Sequence, residues 1–156
     1  ECGYVELDID DAPDTSVERG ALWERDVCEA FIAGPGEPGP ESYKEFEVAP
    51  TGQWCDLAIR RPRVDVDWTW HGGMETAAAI DDRIRTWRAV MRVPFAAFGA
   101  TPVPGDAWRV NLFRISRAAG RRQYLAYAPT GTRTPDFHVP ACFVPLLFES
   151  STAAAR

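Results

Sequence analysis

No apolar run in the 156-residue chain approaches the roughly 18 residues that a membrane-crossing helix needs, so no membrane insertion is expected. Basic charge is short as well: 17 Lys and Arg against 23 Asp and Glu leave a formal charge of −6. That sign is wrong for a phosphate backbone, so no nucleic-acid partner is expected. Histidine is scarce, with His71 in "WTWHGG" and His138 in "DFHVP". Both read as solvent-exposed loop residues and leave His-based catalysis few options. The four cysteines, Cys2, Cys28, Cys55 and Cys142, form no C-x-x-C, no haem-attachment motif and no zinc-like pair, so metal ligation through sulfur is not indicated. Cys28 and Cys55 fall in strand-like segments and read as small buried hydrophobes rather than disulfide partners. The Walker loop, the dinucleotide fingerprint and the G-x-S-x-G elbow are all missing, and with them the commonest catalytic constellations.

What the chain does have is period-two alternation, punctuated by turn-formers about every ten residues, which is an all-β signature. Val5, Leu7 and Ile9 alternate with Glu6, Asp8 and Asp10 and predict a first strand ending in the acidic turn "DIDDAPD". "LWERDVCEAFI" (22–32) predicts a second, halted by a Gly/Pro tract. "YKEFEVAPTGQWCDLAI" reads as a hairpin turning at Pro50-Thr51-Gly52, with Phe46, Val48, Cys55, Leu57 and Ile59 inward and Tyr43, Glu45 and Glu47 outward. Further strands are expected in "RTWRAVMRV", "AWRVNLFRIS", "RRQYLAYAPT" and "CFVPLLFE", with one helical turn in "PFAAFG". Eight or nine strands with almost no helix predict an antiparallel β-sandwich, jelly-roll or immunoglobulin-like, as one domain over 1–149 with a disordered tail at 150–156. Glu1 in place of a methionine suggests a piece excised from a longer polypeptide. The compartment stays open, with an extracellular or periplasmic setting favoured, and a monomer is expected.

The chemistry lies in carboxylates and indoles. Asp26, Glu29, Glu45 and Glu47 are numerous enough to raise a paired-carboxylate hydrolase, although half-solvated strands more often carry such residues on a wet face. "DIDDAPD" invites calcium, but Ala12 stands where an oxygen ligand would follow Asp8 and Asp10, so a solvated turn is the better reading and calcium only a possibility. Of the six tryptophans, Trp87 and Trp108 lie in clean alternations and read as core. Trp23, Trp54, Trp68 and Trp70 read as partly exposed, and exposed aromatic rings need a reason. Sugar binding supplies one, since pyranose C–H faces stack on indoles while carboxylates take hydroxyls. Strand parity places Trp23, Arg25, Val27, Glu29 and Phe31 on one side.

Taken in order, "LWERDVCEAFI", "YKEFEVAPTGQWCDLAI", "WRAVMRVPFAAFG", "PGDAWRVNLFRI", "YLAYAPT" and "FHVPACF" resemble the family 9 carbohydrate-binding modules over residues 22–148. The resemblance implies a DOMON-like β-sandwich that binds mono-, oligo- or polysaccharide as a non-catalytic accessory module of glycan-degrading enzymes, without its opening strands here. It implies two rings clamping a terminal sugar, Trp23 and Tyr127, a carboxylate at Glu29, and polar positions at Arg114 and Asn111. Calcium occurs in the family, but the resemblance carries over no ligand set, and no cofactor is expected. Related DOMON-type sandwiches hold haem b, which makes Met74, Met91, His71, His138 and Lys44 candidate axial ligands in an alternative redox reading. A glycosidase is the third alternative.

Overall fold

Ten strands, all paired antiparallel, are formed among residues 1–150, which the computed structural model describes. The tail expected at 150–156 lies, from Ser151 on, outside the described residues. The strands are β1 (Cys2–Gly3), β2 (Val27–Ala33), β3 (Tyr43–Val48), β4 (Trp54–Arg61), β5 (Asp65–Asp67), β6 (Glu75–Asp81), β7 (Thr86–Arg92), β8 (Ala107–Ala118), β9 (Arg121–Ala126) and β10 (Val144–Leu147). A seven-stranded sheet runs β10-β8-β2-β3-β4-β5, with β9 pairing the second half of β8, and a three-stranded sheet runs β1-β7-β6. This is the antiparallel β-sandwich that the alternation predicts. No helix among the described residues is long and apolar enough to cross a membrane.

The central strands of the large sheet are covered on both faces. One face carries Ala30, Ile32, Phe46 and Trp108, which pack with Met74, Met91 and Phe98 beneath the small sheet. The other carries Val27, Phe31, Tyr43, Leu57, Ile59, Phe113 and Ile115, closed over by Leu22 and Phe143 from the connecting segments. Phe31 stacks on Tyr43 at 5.1 Å and meets Phe113 edge-on at 4.8 Å. Each such fully buried aromatic contributes roughly 2–3 kcal/mol of transfer free energy.

The turns follow backbone chemistry. Gly52 (φ 87°) donates to the Ala49 carbonyl and closes the β3–β4 hairpin where the sequence places it. Ala119 and Gly120, both at positive φ, form the two-residue loop between β8 and β9, whose twist matches the paired strands. Phe95–Phe98 is a single 3-10 turn ended by left-handed Gly99.

Three expectations are corrected. Residues 5–10 form no strand beyond an isolated bridge from Glu6 to Arg117. The acidic side chains take other partners there: Asp8 pairs with Arg25 and Arg117, and Asp10 with Arg19. The second strand begins at Val27, since Leu22–Glu24 is a 3-10 turn entered through left-handed Ala21. In the hairpin, Glu47 pairs with Cys55, and Glu45 with Leu57. Tyr43, Glu45 and Glu47 therefore share the face of Cys55, Leu57 and Ile59, while Phe46 and Val48 point to the opposite one. Cys28 is a free thiol, as the sequence predicts, and its sulfur lies 3.4 Å from that of Cys2.

Candidate functional site

The antiparallel register brings three glutamates together at the centre of the large sheet. Glu29 on β2 is directly opposite Glu47 on β3, and Glu45 lies one pleat along β3 on the same face. One carboxylate oxygen from each lies within 4.8 Å of the others. All three residues are buried, and Glu29 Oε1, Glu45 Oε2 and both oxygens of Glu47 have no hydrogen-bond partner. Like charges directly opposed across a sheet repel, and buried carboxylates without donors resist ionisation. Burial, reinforced by the neighbouring glutamates, accordingly holds Glu29 and Glu47 well above the usual carboxylate range. Burial pushes Glu45 up to about 7, with Arg63 pulling the other way.

Glu29 and Glu45 form part of the floor of a cavity of about 520 Å³, within the range of about 300–1,000 Å³ usual for small-molecule sites. Its walls are aromatic. Trp23 comes from the 3-10 turn before β2 and Trp68 from the turn after β5, with ring centroids 6.0 Å apart. Tyr124 on β9 and Phe137 from the 128–143 segment close the far side. Phe137 is fixed by stacking on Phe113 at 4.3 Å, and Arg122 holds the Trp23 turn by donating to its carbonyl.

Polar groups sit at the rim. Arg63, at φ 61°, donates to Asp136 at 2.7 Å. His138 is a partly buried cavity residue and not the exposed loop histidine expected from "DFHVP". Burial, with Arg63 nearby, holds it down to about 4, so it is neutral at pH 7. Its Nδ1 shares a hydrogen bond of 2.6 Å with the Tyr43 hydroxyl and lies 4.0 Å from Glu45 Oε2.

Of the five residues singled out by sequence, Trp23 and Glu29 line this cavity and the other three do not. Tyr127 is 72% exposed. Tyr124 is opposite Ile115, so parity turns Tyr124 toward the cavity and Tyr127, three residues on, away from it. Arg114 is opposite Cys28 and donates to the Gly3 carbonyl at 2.6 Å on the small-sheet side. Asn111 is fully buried: its amide donates to the Ala128 carbonyl at 2.8 Å, and its oxygen accepts from the Ala128 amide at 2.9 Å. It ties the segment after β9 to β8.

Tyr124, Phe137 and Arg63 line the cavity without having been singled out by sequence, and Glu45, raised there only as one of four candidate hydrolase carboxylates, lines it with Glu29. One signal was present for the glutamates: the residues of β2, β3 and β4 that share their parity include a single basic side chain, Arg61, at the far end of β4. Among the haem candidates, Met74 and Met91 pack on the small-sheet face. His71 sits in a carboxylate cluster, and Lys44 pairs with Glu37. In "DIDDAPD", Asp8 and Asp10 are occupied by the arginines named above.

Compared with protein-family models and with curated proteins, the chain matches none. In fold it is similar to the crystal structure of a "putative carbohydrate-binding protein" from Bacteroides uniformis ATCC 8492, with a TM-score of 0.67 and 22% identity. The likeness covers 86% of this chain and 66% of that one, just under two thirds of the neighbour's length, and what it shows is a shared β-sandwich fold.

Proposed function

We propose that the chain is a non-catalytic carbohydrate-binding domain whose ligand occupies the cavity between Trp23, Trp68 and Tyr124, above the glutamates. The observation that carries this reading is one arrangement: aromatic rings lining one cavity together with buried carboxyl groups that have no partner in the protein. A saccharide offers both complements, since its C–H faces stack on rings and its hydroxyls donate to and accept from carboxyl groups. A protonated carboxyl is both donor and acceptor, so glutamates held neutral by burial suit a neutral polyhydroxylated ligand. The fold shared with a protein named for carbohydrate binding points the same way, and the order of sequence blocks supports a family 9 module serving a glycan-degrading enzyme.

A glycosidase is the second reading, because carboxyl groups with raised pKa values are what a general acid requires. The arrangement favours binding. Glycosidase carboxyls flank the scissile bond, whereas Glu29 and Glu45 rise from adjacent strands of a single wall and Glu47 does not line the cavity.

Isothermal titration with a panel of mono- and oligosaccharides, with and without chelator, tests the proposal and reads any calcium requirement. Saturable binding is expected, weakened at least about fivefold by Trp23→Ala, given roughly 1–3 kcal/mol for a stacked ring. Release of reducing ends from an oligosaccharide, abolished by Glu45→Gln, would overturn the non-catalytic reading. Absence of binding across the panel would overturn the whole.

A further inference from the structure

The "WTWHGG" loop carries a second constellation that shares no residue with the cavity. Glu18 Oε2 lies 3.1 Å and Asp56 Oδ1 3.5 Å from His71 Nδ1, and the three atoms lie within 4.8 Å of one another. The remaining oxygen of each carboxylate is held by backbone: Glu18 Oε1 accepts from the Asp56 amide at 3.0 Å, and Asp56 Oδ2 from the Gly72 amide at 2.8 Å. Each acid thus presents one oriented, free oxygen to the same point. Glycine is required at 72, because a Cβ there would come 2.7 Å from Trp70 and 3.1 Å from Asp56 Oδ2.

Hydrogen bonding within the protein does not satisfy this cluster. His71 Nδ1 carries at most one proton, so it cannot bond to Glu18 and Asp56 together. Asp56 Oδ1 is left buried with no hydrogen-bond partner, an arrangement that is costly unless something else occupies the point. A metal ion resolves the conflict, since it binds both oxygens and the nitrogen lone pair together. The two nitrogen–oxygen separations are 3.1 and 3.5 Å. Both lie near the edge of about 3.3 Å that a tetrahedron with bonds of about 2.0 Å imposes.

We propose that Glu18, Asp56 and His71 form a binding site for a divalent transition-metal ion of the zinc type, with the fourth position open to solvent. The imidazole selects against calcium and magnesium, which take oxygen ligands. His71 is 58% exposed at its side chain, so the ion has a path of entry. The backbone amides that orient the two acids are the outer-shell partners a metal site needs. The ion would join three segments: the stretch leading to Trp23, strand β4, and the loop following Trp68. It would clamp the two pieces of chain that carry the cavity's indole pair.

The test is titration of chelator-treated protein with Zn²⁺ by calorimetry and with Co²⁺ by visible absorption. One equivalent of Zn²⁺ is expected, together with the d–d bands of a four-coordinate cobalt centre. His71→Ala, an exposed substitution that leaves the fold intact, is expected to lower affinity at least about 100-fold, and Asp56→Asn likewise. His138→Ala removes the other histidine and is expected to leave metal binding unchanged. Absence of one-equivalent binding, retention of wild-type affinity in His71→Ala, or loss of it in His138→Ala would each overturn the proposal. Saccharide binding is measured separately, and its absence bears only on the cavity.

Discussion

Glu47 is enclosed at both oxygens among carboxyl groups alone, so its charge state is set by burial and by the two glutamates beside it. A raised carboxyl pKa means that the folded chain holds the proton more tightly than the unfolded chain. The associated stability is therefore complete below the ordinary value of 4.5. It is lost as pH rises through about 7 for Glu45, and Glu29 and Glu47, also raised by burial, lose theirs in the same direction. His138 runs the other way: held down from 6.5 to about 4, it contributes stability above pH 6.5 that is lost as pH falls toward 4. Glu47→Gln isolates the acid part, since an amide mimics the protonated carboxyl at every pH. Urea denaturation is expected to show this variant matching the wild type at pH 4 and exceeding it by about 1–3 kcal/mol at pH 8. A difference that stays constant across that range would contradict the account of the cluster. In the sequence these residues read as a wet strand face, because alternation records parity but not which faces a second layer will cover.

Strands with β-branched or aromatic alternation, β2, β3, β4, β7 and β8, were legible, and so were the turns at Gly52 and Gly99. The elements passed over were β5 and β6, "DVD" and "ETAAAID", whose acidic and alanine-rich composition carries little intrinsic strand preference. They are strands because β4 and β7 offer them a paired edge. The converse error fell on residues 5–10, where alternation without a neighbouring edge produced a loop. The contact between β1 and β2 was also invisible, because the sulfur spacing of Cys2 and Cys28 is decided by the packing of the small sheet on the large one. The hydrogen bond from Cys28 holds the Cys2 thiol down to about 6, so it is largely thiolate at neutral pH. Oxidised glutathione is expected to convert the pair to a disulfide: Cys2 attacks the glutathione disulfide, and Cys28 then displaces the attached glutathione as its thiolate. Closing a 26-residue separation stabilises the fold by about 3 kcal/mol, read as a raised urea midpoint that dithiothreitol reverses and Cys2→Ser abolishes. Four titratable thiols after that treatment would contradict the pairing.

Across the whole molecule, the large sheet is a shared wall: the small sheet covers one side, and loops carrying aromatic rings cover the other. This division explains why the fold was readable while only part of the site was. Trp23 and Glu29 were found on the premise of a single continuous strand, yet Trp23 reaches the cavity from a 3-10 turn. The remaining walls come from segments whose meeting depends on tertiary packing. The six indoles make the central claim directly observable, since Trp23 and Trp68 line the cavity and the other four do not. In a ¹H–¹⁵N spectrum followed through titration with a saccharide that the chain binds, the Nε1–H resonances of Trp23 and Trp68 are predicted to shift in a saturable way. Those of Trp87 and Trp108 are predicted to stay in place. Saturable shifts that leave Trp23 and Trp68 unmoved would put the ligand elsewhere and contradict the account.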